Sequence, residues 1–138
     1  MKESILFPGA KNLILLLLDS GLKIGIATSK PTYLAASAIH KSALNQLPIS
    51  IQGTDDFPAK PDPSVILKCI SSLKTTINLM VGDRTEDMEA GKRANCSTIG
   101  LTQSSHSKND LILAGADLVL PRLSSITPSL INEILGKK

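Results

Sequence analysis

Five short apolar runs punctuate this sequence, at residues 22–27, 49–52, 77–82, 97–101 and 118–120, and stretches of helical length separate them. Runs this short, rich in Ile, Leu and Val, read as strands buried on both faces. Helices are expected between them. The first opens at Pro8-Gly9 and closes at Asp19-Ser20-Gly21, with proline at a permissive start and glycine placed to end it. The second follows Thr28-Ser29-Lys30-Pro31 and runs to about Asn45, with a hydroxyl as its expected cap. Others are expected at residues 63–73, 84–95 and 107–114, and from about Thr127. Strands alternating with helices imply right-handed crossovers, and hence a parallel sheet with helices on both faces. The expected architecture is a Rossmann-like α/β domain over residues 1–138.

Composition narrows the function. A chain of 138 residues, 42% apolar, buries roughly two-thirds of its unfolded surface and needs no disulfide or metal to own a core. Cys69 and Cys96 read as small core residues. Phe7, Phe57 and Tyr33 are the whole aromatic complement, too few for a base-stacking surface, so no nucleic-acid partner is expected. The net charge of +3 bears on solubility more than on partners. The longest apolar run, residues 13–18, is far shorter than the ~20 residues that span a bilayer. Residues 1–4 lack the pattern of a secretory signal, which makes the cytoplasm the expected compartment.

In parallel α/β sheets, ligands meet the chain just past the carboxyl ends of the strands. Thr28 and Ser29 stand at the end of the first run, where hydroxyls and helix N–H groups can hold a phosphate oxygen. The plainer role is a helix cap. Lys60 sits in Ala59-Lys60-Pro61-Asp62-Pro63, where flanking prolines restrain a side chain that ordinarily moves in solvent. A held ammonium suits a phosphate or a carboxylate, although an exposed turn lysine is equally compatible. In Ile77-Asn78-Leu79-Met80-Val81-Gly82-Asp83-Arg84-Thr85-Glu86-Asp87, an apolar strand delivers Asp83, and Asp87 follows four residues later. Two carboxylates at one spot suit a hard ion such as Mg²⁺, which takes one or two carboxylates plus phosphate oxygens and water. Alternatively Asp83 caps the helix, and Glu86, Asp87 and Glu89 favour its positive end.

The order of these features, a hydroxyl at a strand end, a proline-framed lysine, then Gly-Asp with a second Asp four on, resembles the haloacid dehalogenase superfamily. Phe7-Pro8-Gly9-Ala10 looks like the segment that re-enters the core from a helical cap in that family. Gly53-Thr54-Asp55-Asp56 and residues 114–120 are similar to its phosphoglycolate phosphatase branch. The resemblance implies a Mg²⁺-dependent hydrolase of small phosphorylated metabolites, working through an aspartyl-phosphate. Carried over, Thr28 (with Ser29) would bind phosphoryl oxygens, Lys60 would be catalytic and phosphate-binding, and Asp83 and Asp87 would hold Mg²⁺.

One part of the family pattern is missing. No Asp-x-Asp-Gly, the motif that carries the nucleophile and the general acid/base in this superfamily, occurs in the 138 residues. The resemblance therefore implies a truncated core that lacks the first, central strand and the cap, and a chain inactive alone. In the family that strand lies between those ending at Thr28 and Asp83, so a gap is expected there. A partner chain could fill it, self-association could cover it, or the flanking strands could re-pair directly. The alternative is a non-catalytic remnant or binding module. A phosphoacceptor receiver domain fits poorly, because it needs an acidic cluster after its first strand.

Overall fold

The computed structural model describes residues 9–41, 47–55, 57–103 and 106–136. Expectations resting on Met1–Pro8, on the end of the second helix near Asn45 and on Asp56 lie outside the described residues. Within them the order is α1 (Ala10–Asp19), β1 (Ile24–Ala27), α2 (Thr32–Lys41), β2 (Ile49–Gln52), α3 (Ser64–Leu73), β3 (Leu79–Gly82), α4 (Thr85–Arg93), β4 (Ser97–Leu101), α5 (Lys108–Leu113), β5 (Leu118–Leu120) and α6 (Pro128–Gly136), with a short 3₁₀ turn at Leu123–Ser125. The fold is α/β, as expected.

Three helices turn into the following strand by the same device. After α1, Gly21 adopts a left-handed backbone (φ +88°), and the Leu22 and Gly21 N–H groups donate to the carbonyls of Leu17 (3.1 Å) and Leu18 (3.0 Å). This 6→1, 5→2 pairing satisfies carbonyls that a helix end would leave open. Asn95 after α4 and Gly115 after α5 repeat it, with Cys96 N–H on Gly91 O at 2.8 Å and Ala116 N–H on Leu111 O at 3.0 Å.

Alternation along the strands gives the two faces different characters. Ile24, Ile26, Ile49 and Ile51 pack with Ile14 of α1 and Ile39 of α2. Leu79, Val81, Ile99, Leu101, Leu118 and Leu120 join Ala10 and Leu17 of α1 and Ile131 of α6. The opposite face carries small residues, and helices approach closely there. A side chain at Gly25 would strike Cys69 of α3, and one at Gly100 would meet Leu111 of α5 at 3.1 Å. Ala27 and Met80 pack on this side with Ile66 of α3 and Ala90 of α4. Cys69 and Cys96 are both buried and unbridged, the small core residues expected. Burial pushes the Cys69 thiol pKa up, against a smaller opposing hydrogen bond with Ser50. No helix among the described residues is long and apolar enough to cross a membrane.

The strands do not form one continuous sheet. β1 and β2 pair in parallel, and β3, β4 and β5 make a second parallel sheet in that order. Among the described residues β1 and β3 are therefore both edge strands, and they do not pair with each other. Between them lies an apolar slot of about 550 Å³, lined by Ile24–Ala27 and by Leu79, Met80 and Val81. A gap is expected between the strands that end near Thr28 and Asp83, and among the described residues a cavity lies there.

Candidate functional site

The carboxyl ends of β1 and β3 lie close enough to share one side chain. Lys60, in the loop between β2 and α3, extends its Nζ to the carbonyl oxygen of Ala27 at 3.0 Å and to Oδ1 of Asp87 at 2.7 Å. Its side chain is 12% exposed and that of Asp87 8%. Two partly desolvated charges at this distance interact strongly, and each leaves the other costly to remove. Lys60 is thus held, and is not an exposed turn lysine. The turn around it is fixed by Asp62 N–H on Ala59 O at 3.1 Å, and the Lys60–Pro61 peptide is cis.

Asp87 stands in the first turn of α4. Its Oδ2 accepts the Arg84 N–H at 3.2 Å, which satisfies one of the donors left open at the start of the helix. Arg84, the residue after Asp83, is the N-cap residue of α4. Asp83 follows β3 directly and is half-buried. Asp87 packs closely against Gly82, where a side chain could not be accommodated. Beside them, Glu86 has its carboxyl held below the ordinary range, first by its own backbone N–H and then by Thr85 and Arg84 against a modest burial penalty.

At the end of β1, Thr28 donates its N–H to Gln52 O at 3.1 Å, and its Oγ1 accepts the Lys30 N–H at 3.1 Å. The hydroxyl serves the turn before α2, whereas the first N–H of that helix goes elsewhere. Thr32 N–H donates to Asp55 Oδ1 at 2.8 Å, and the Thr32 bonds hold the Asp55 carboxyl below its usual pKa. The cap expected of Thr28 or Ser29 is supplied by the loop after β2. That loop clasps the first: Thr54 Oγ1 donates to Ser29 O at 2.9 Å, Thr54 N–H to Lys30 O at 3.1 Å, and Gly53 N–H to Thr32 Oγ1 at 2.8 Å. Ser29 is exposed. Gly53 lies so close to the Lys30 and Pro31 backbone that only glycine fits.

Sequence reasoning missed this clasp and the Lys60–Asp87 pairing. A signal for the clasp was present, because α2 has no acidic residue in its own first turn and Asp55 follows a strand end. Residues 114–120 have a structural task as well. Asp117 accepts from Lys92 Nζ at 2.6 Å and from Thr98 N–H at 2.9 Å, tying β4 to the entry of β5 and to α4. Burial raises its pKa, but the Lys92 and Thr98 bonds outweigh that and leave it below the carboxylate norm.

Asp83 and Asp87 offer oxygen donors alone, the chemistry of a hard divalent ion. Among the described residues no three His, Cys, Asp or Glu side chains gather to enclose a metal. A Mg²⁺ ion that takes one or two carboxylates with phosphate oxygens and water is the ion this chemistry suits, but both Asp87 oxygens are already engaged by Lys60 and the Arg84 N–H.

A parallel α/β fold with a lysine and two carboxylates past its strand ends places the chain in a class, the α/β proteins that meet their ligands at that edge. The sequence profile of the haloacid dehalogenase-like hydrolases matches residues 1–101, and the chain belongs to that family. It is 30% identical to a phosphoglycolate phosphatase of Salmonella paratyphi A over 130 residues, 92% of this chain and 52% of that protein. Among solved structures it is similar to a hydrolase from Pseudomonas syringae (30% identity, TM-score 0.76, covering 88% of this chain and 60% of that one). It is also similar to a chain described as a predicted phosphatase from Clostridium acetobutylicum (25% identity, TM-score 0.81, 91% and 60%). The chain spans about half the length of the curated relatives it matches.

Proposed function

We propose that this chain forms the phosphate- and metal-binding part of a Mg²⁺-dependent phosphomonoester hydrolase, with the nucleophilic carboxylate supplied from outside its own sequence. The observation that carries the reading is the held ammonium of Lys60, 2.7 Å from Asp87 at the carboxyl ends of two parallel strands. A preorganised cation there stabilises charge that builds on a transferring phosphoryl group without having to reorganise. Thr28 and Ser29 offer hydroxyls to phosphoryl oxygens at the end of β1. Asp83 and Asp87 would hold Mg²⁺, directly or through water. When bound, the ion neutralises phosphoryl oxygens. The relatives point to a small phosphorylated metabolite, with phosphoglycolate the first to try, in a cytoplasmic setting.

A second reading is favoured by the structural duties of the same residues. The Thr28 hydroxyl and both Asp87 oxygens are already engaged within the chain, as in a non-catalytic module that retains the scaffold.

Calorimetry with Mg²⁺ and inorganic phosphate, beside a turnover assay on a generic phosphomonoester, separates the two. The phosphatase reading expects no turnover by the 138 residues alone, metal binding that Asp83→Ala abolishes, and Mg²⁺-dependent hydrolysis once a segment bearing Asp-x-Asp-Gly is fused in front. A folded fusion that gains no activity overturns it. Turnover by the chain alone excludes the non-catalytic module.

A further inference from the structure

The end of β1 is gripped on both sides of Thr28 by the segment that follows β2. Lys60 Nζ donates to the Ala27 carbonyl at 3.0 Å, and Thr54 Oγ1 donates to the Ser29 carbonyl at 2.9 Å. Thr54 N–H takes the next carbonyl, that of Lys30, at 3.1 Å. Donors from one segment thus occupy the acceptors around Thr28, and a turn whose carbonyls are occupied sets less negative potential against an anion. The Thr28 hydroxyl accepts the Lys30 N–H at 3.1 Å, which leaves its one proton to donate.

Asp55 anchors this grip. A helix ordinarily takes its N-cap from the residue just before it, but the Thr32 N–H of α2 donates to Asp55 Oδ1 at 2.8 Å, across 23 positions of sequence. The Thr32 side chain bonds to the same carboxylate, and its Oγ1 accepts the Gly53 N–H at 2.8 Å. The shape of the turn at residues 28–32 therefore depends on a carboxylate mounted on another strand end. Asp55 is exposed, so removing it opens no cavity, and what is lost is position. Its charge acts in the opposite sense, because a carboxylate beside an anion site repels the anion.

We propose that Asp55 is a positioning residue for anion binding at the end of β1. Its carboxylate oxygen caps α2 from the neighbouring loop, and with Thr54 it holds Thr28 and Ser29 in the conformation that accepts a phosphoryl group, in register with Lys60. The proposal rests on the phosphate-binding reading above and assigns Asp55 no contact with the phosphate.

The test titrates inorganic phosphate into the 138-residue chain at constant ionic strength and follows the amide shifts of residues 28–32, in the wild type, Asp55→Ala and Asp55→Asn. Asp55→Ala is expected to weaken phosphate binding about fivefold, the ratio that one lost cap can produce. It should also speed amide exchange at Lys30, Thr32 and Thr54 while leaving β3, β4 and β5 unchanged. Asp55→Asn keeps an acceptor oxygen and loses the charge, so it is expected to bind phosphate at least as tightly as the wild type. Thr54→Val removes the donor to Ser29 and spares the cap, and a weakening of about threefold is expected. Tighter binding by Asp55→Ala overturns the proposal, since charge then outweighs position. Equal losses in Asp55→Ala and Asp55→Asn overturn it as well, because the acceptor oxygen would then not be what matters. Unchanged affinity in a folded Asp55→Ala chain removes the positioning role and leaves the phosphate-binding reading standing. Absence of phosphate binding by the folded wild type overturns both.

Discussion

β4 and β1 are built from similar residues but occupy opposite extremes of the same molecule. Every residue of β4 is buried, with Thr98, Ile99 and Leu101 at 0% exposure, whereas no residue of β1 is buried and Gly25 is exposed. Both strands are covered by helices. What differs is the second neighbour: β4 lies between β3 and β5, whereas β1 has β2 on one side and the slot on the other. In a parallel sheet the lateral neighbour completes burial as much as the helices do, because it closes the edge through which water reaches the backbone.

The largest effect expected from this contrast lies in the apolar side chains. Ile99→Ala should cost about 3 kcal/mol of unfolding free energy in urea denaturation, the range for a fully buried branched residue. Ile26→Ala should cost less than half of that, and equal losses would break the comparison. Next comes the tie across the mouth of the slot. Lys60→Met leaves Asp87 desolvated without its cation, and a loss of about 2 kcal/mol is expected. Asp87→Asn in the same background should recover part of it, and additive losses would show that the two charges do not interact. The smallest effect concerns the β4 side. Asp117→Asn should cost about 1 kcal/mol at neutral pH, because both members of the Lys92 pair are about two-fifths exposed. The folded-state pKa of Asp117 is lowered, so its contribution is present above the unfolded value near 4 and fades as pH falls through the folded one. The stability gap between wild type and Asp117→Asn should therefore close on acidification below about pH 4, and a gap unchanged at pH 2 would remove the ion pair from the account.

Apolar runs marked where strands lie but not where pairing begins. β2, β4 and β5 start and stop where the sequence places them, while β1 and β3 begin two residues late, at Ile24 and Leu79. Leu22 and Ile77 are apolar because of the cavity and helices near them. Pairing starts only where the partner strand starts: Ile24 faces Ile49 just after Pro48, and Leu79 faces Ser97 just after the left-handed Asn95. The 3₁₀ turn at Leu123–Ser125 has no periodicity to reveal it. At the site, the types and order of Thr28, Lys60, Asp83 and Asp87 were readable because strand ends are where such residues collect. Which of them touch was not, since Lys60 and Asp87 are joined through the approach of two strands that do not pair. Asp55 likewise caps a helix that begins more than twenty residues before it.

The unequal faces of the strands carry a consequence for how this chain can vary. On the side of Gly25, Gly91 and Gly100 the helices rest almost on the backbone, and a methyl group at Gly91 would already meet Thr98 Cγ2 at 2.7 Å. On the other side the interior is a mixture of Ile, Leu and Val, whose shapes can be exchanged when total volume is kept. Evolution or a designer therefore has latitude on one face only: the aliphatic layer under α1, α2 and α6 can be rewritten, while the layer under α3, α4 and α5 sets the spacing at which α4 carries Asp87 to Lys60.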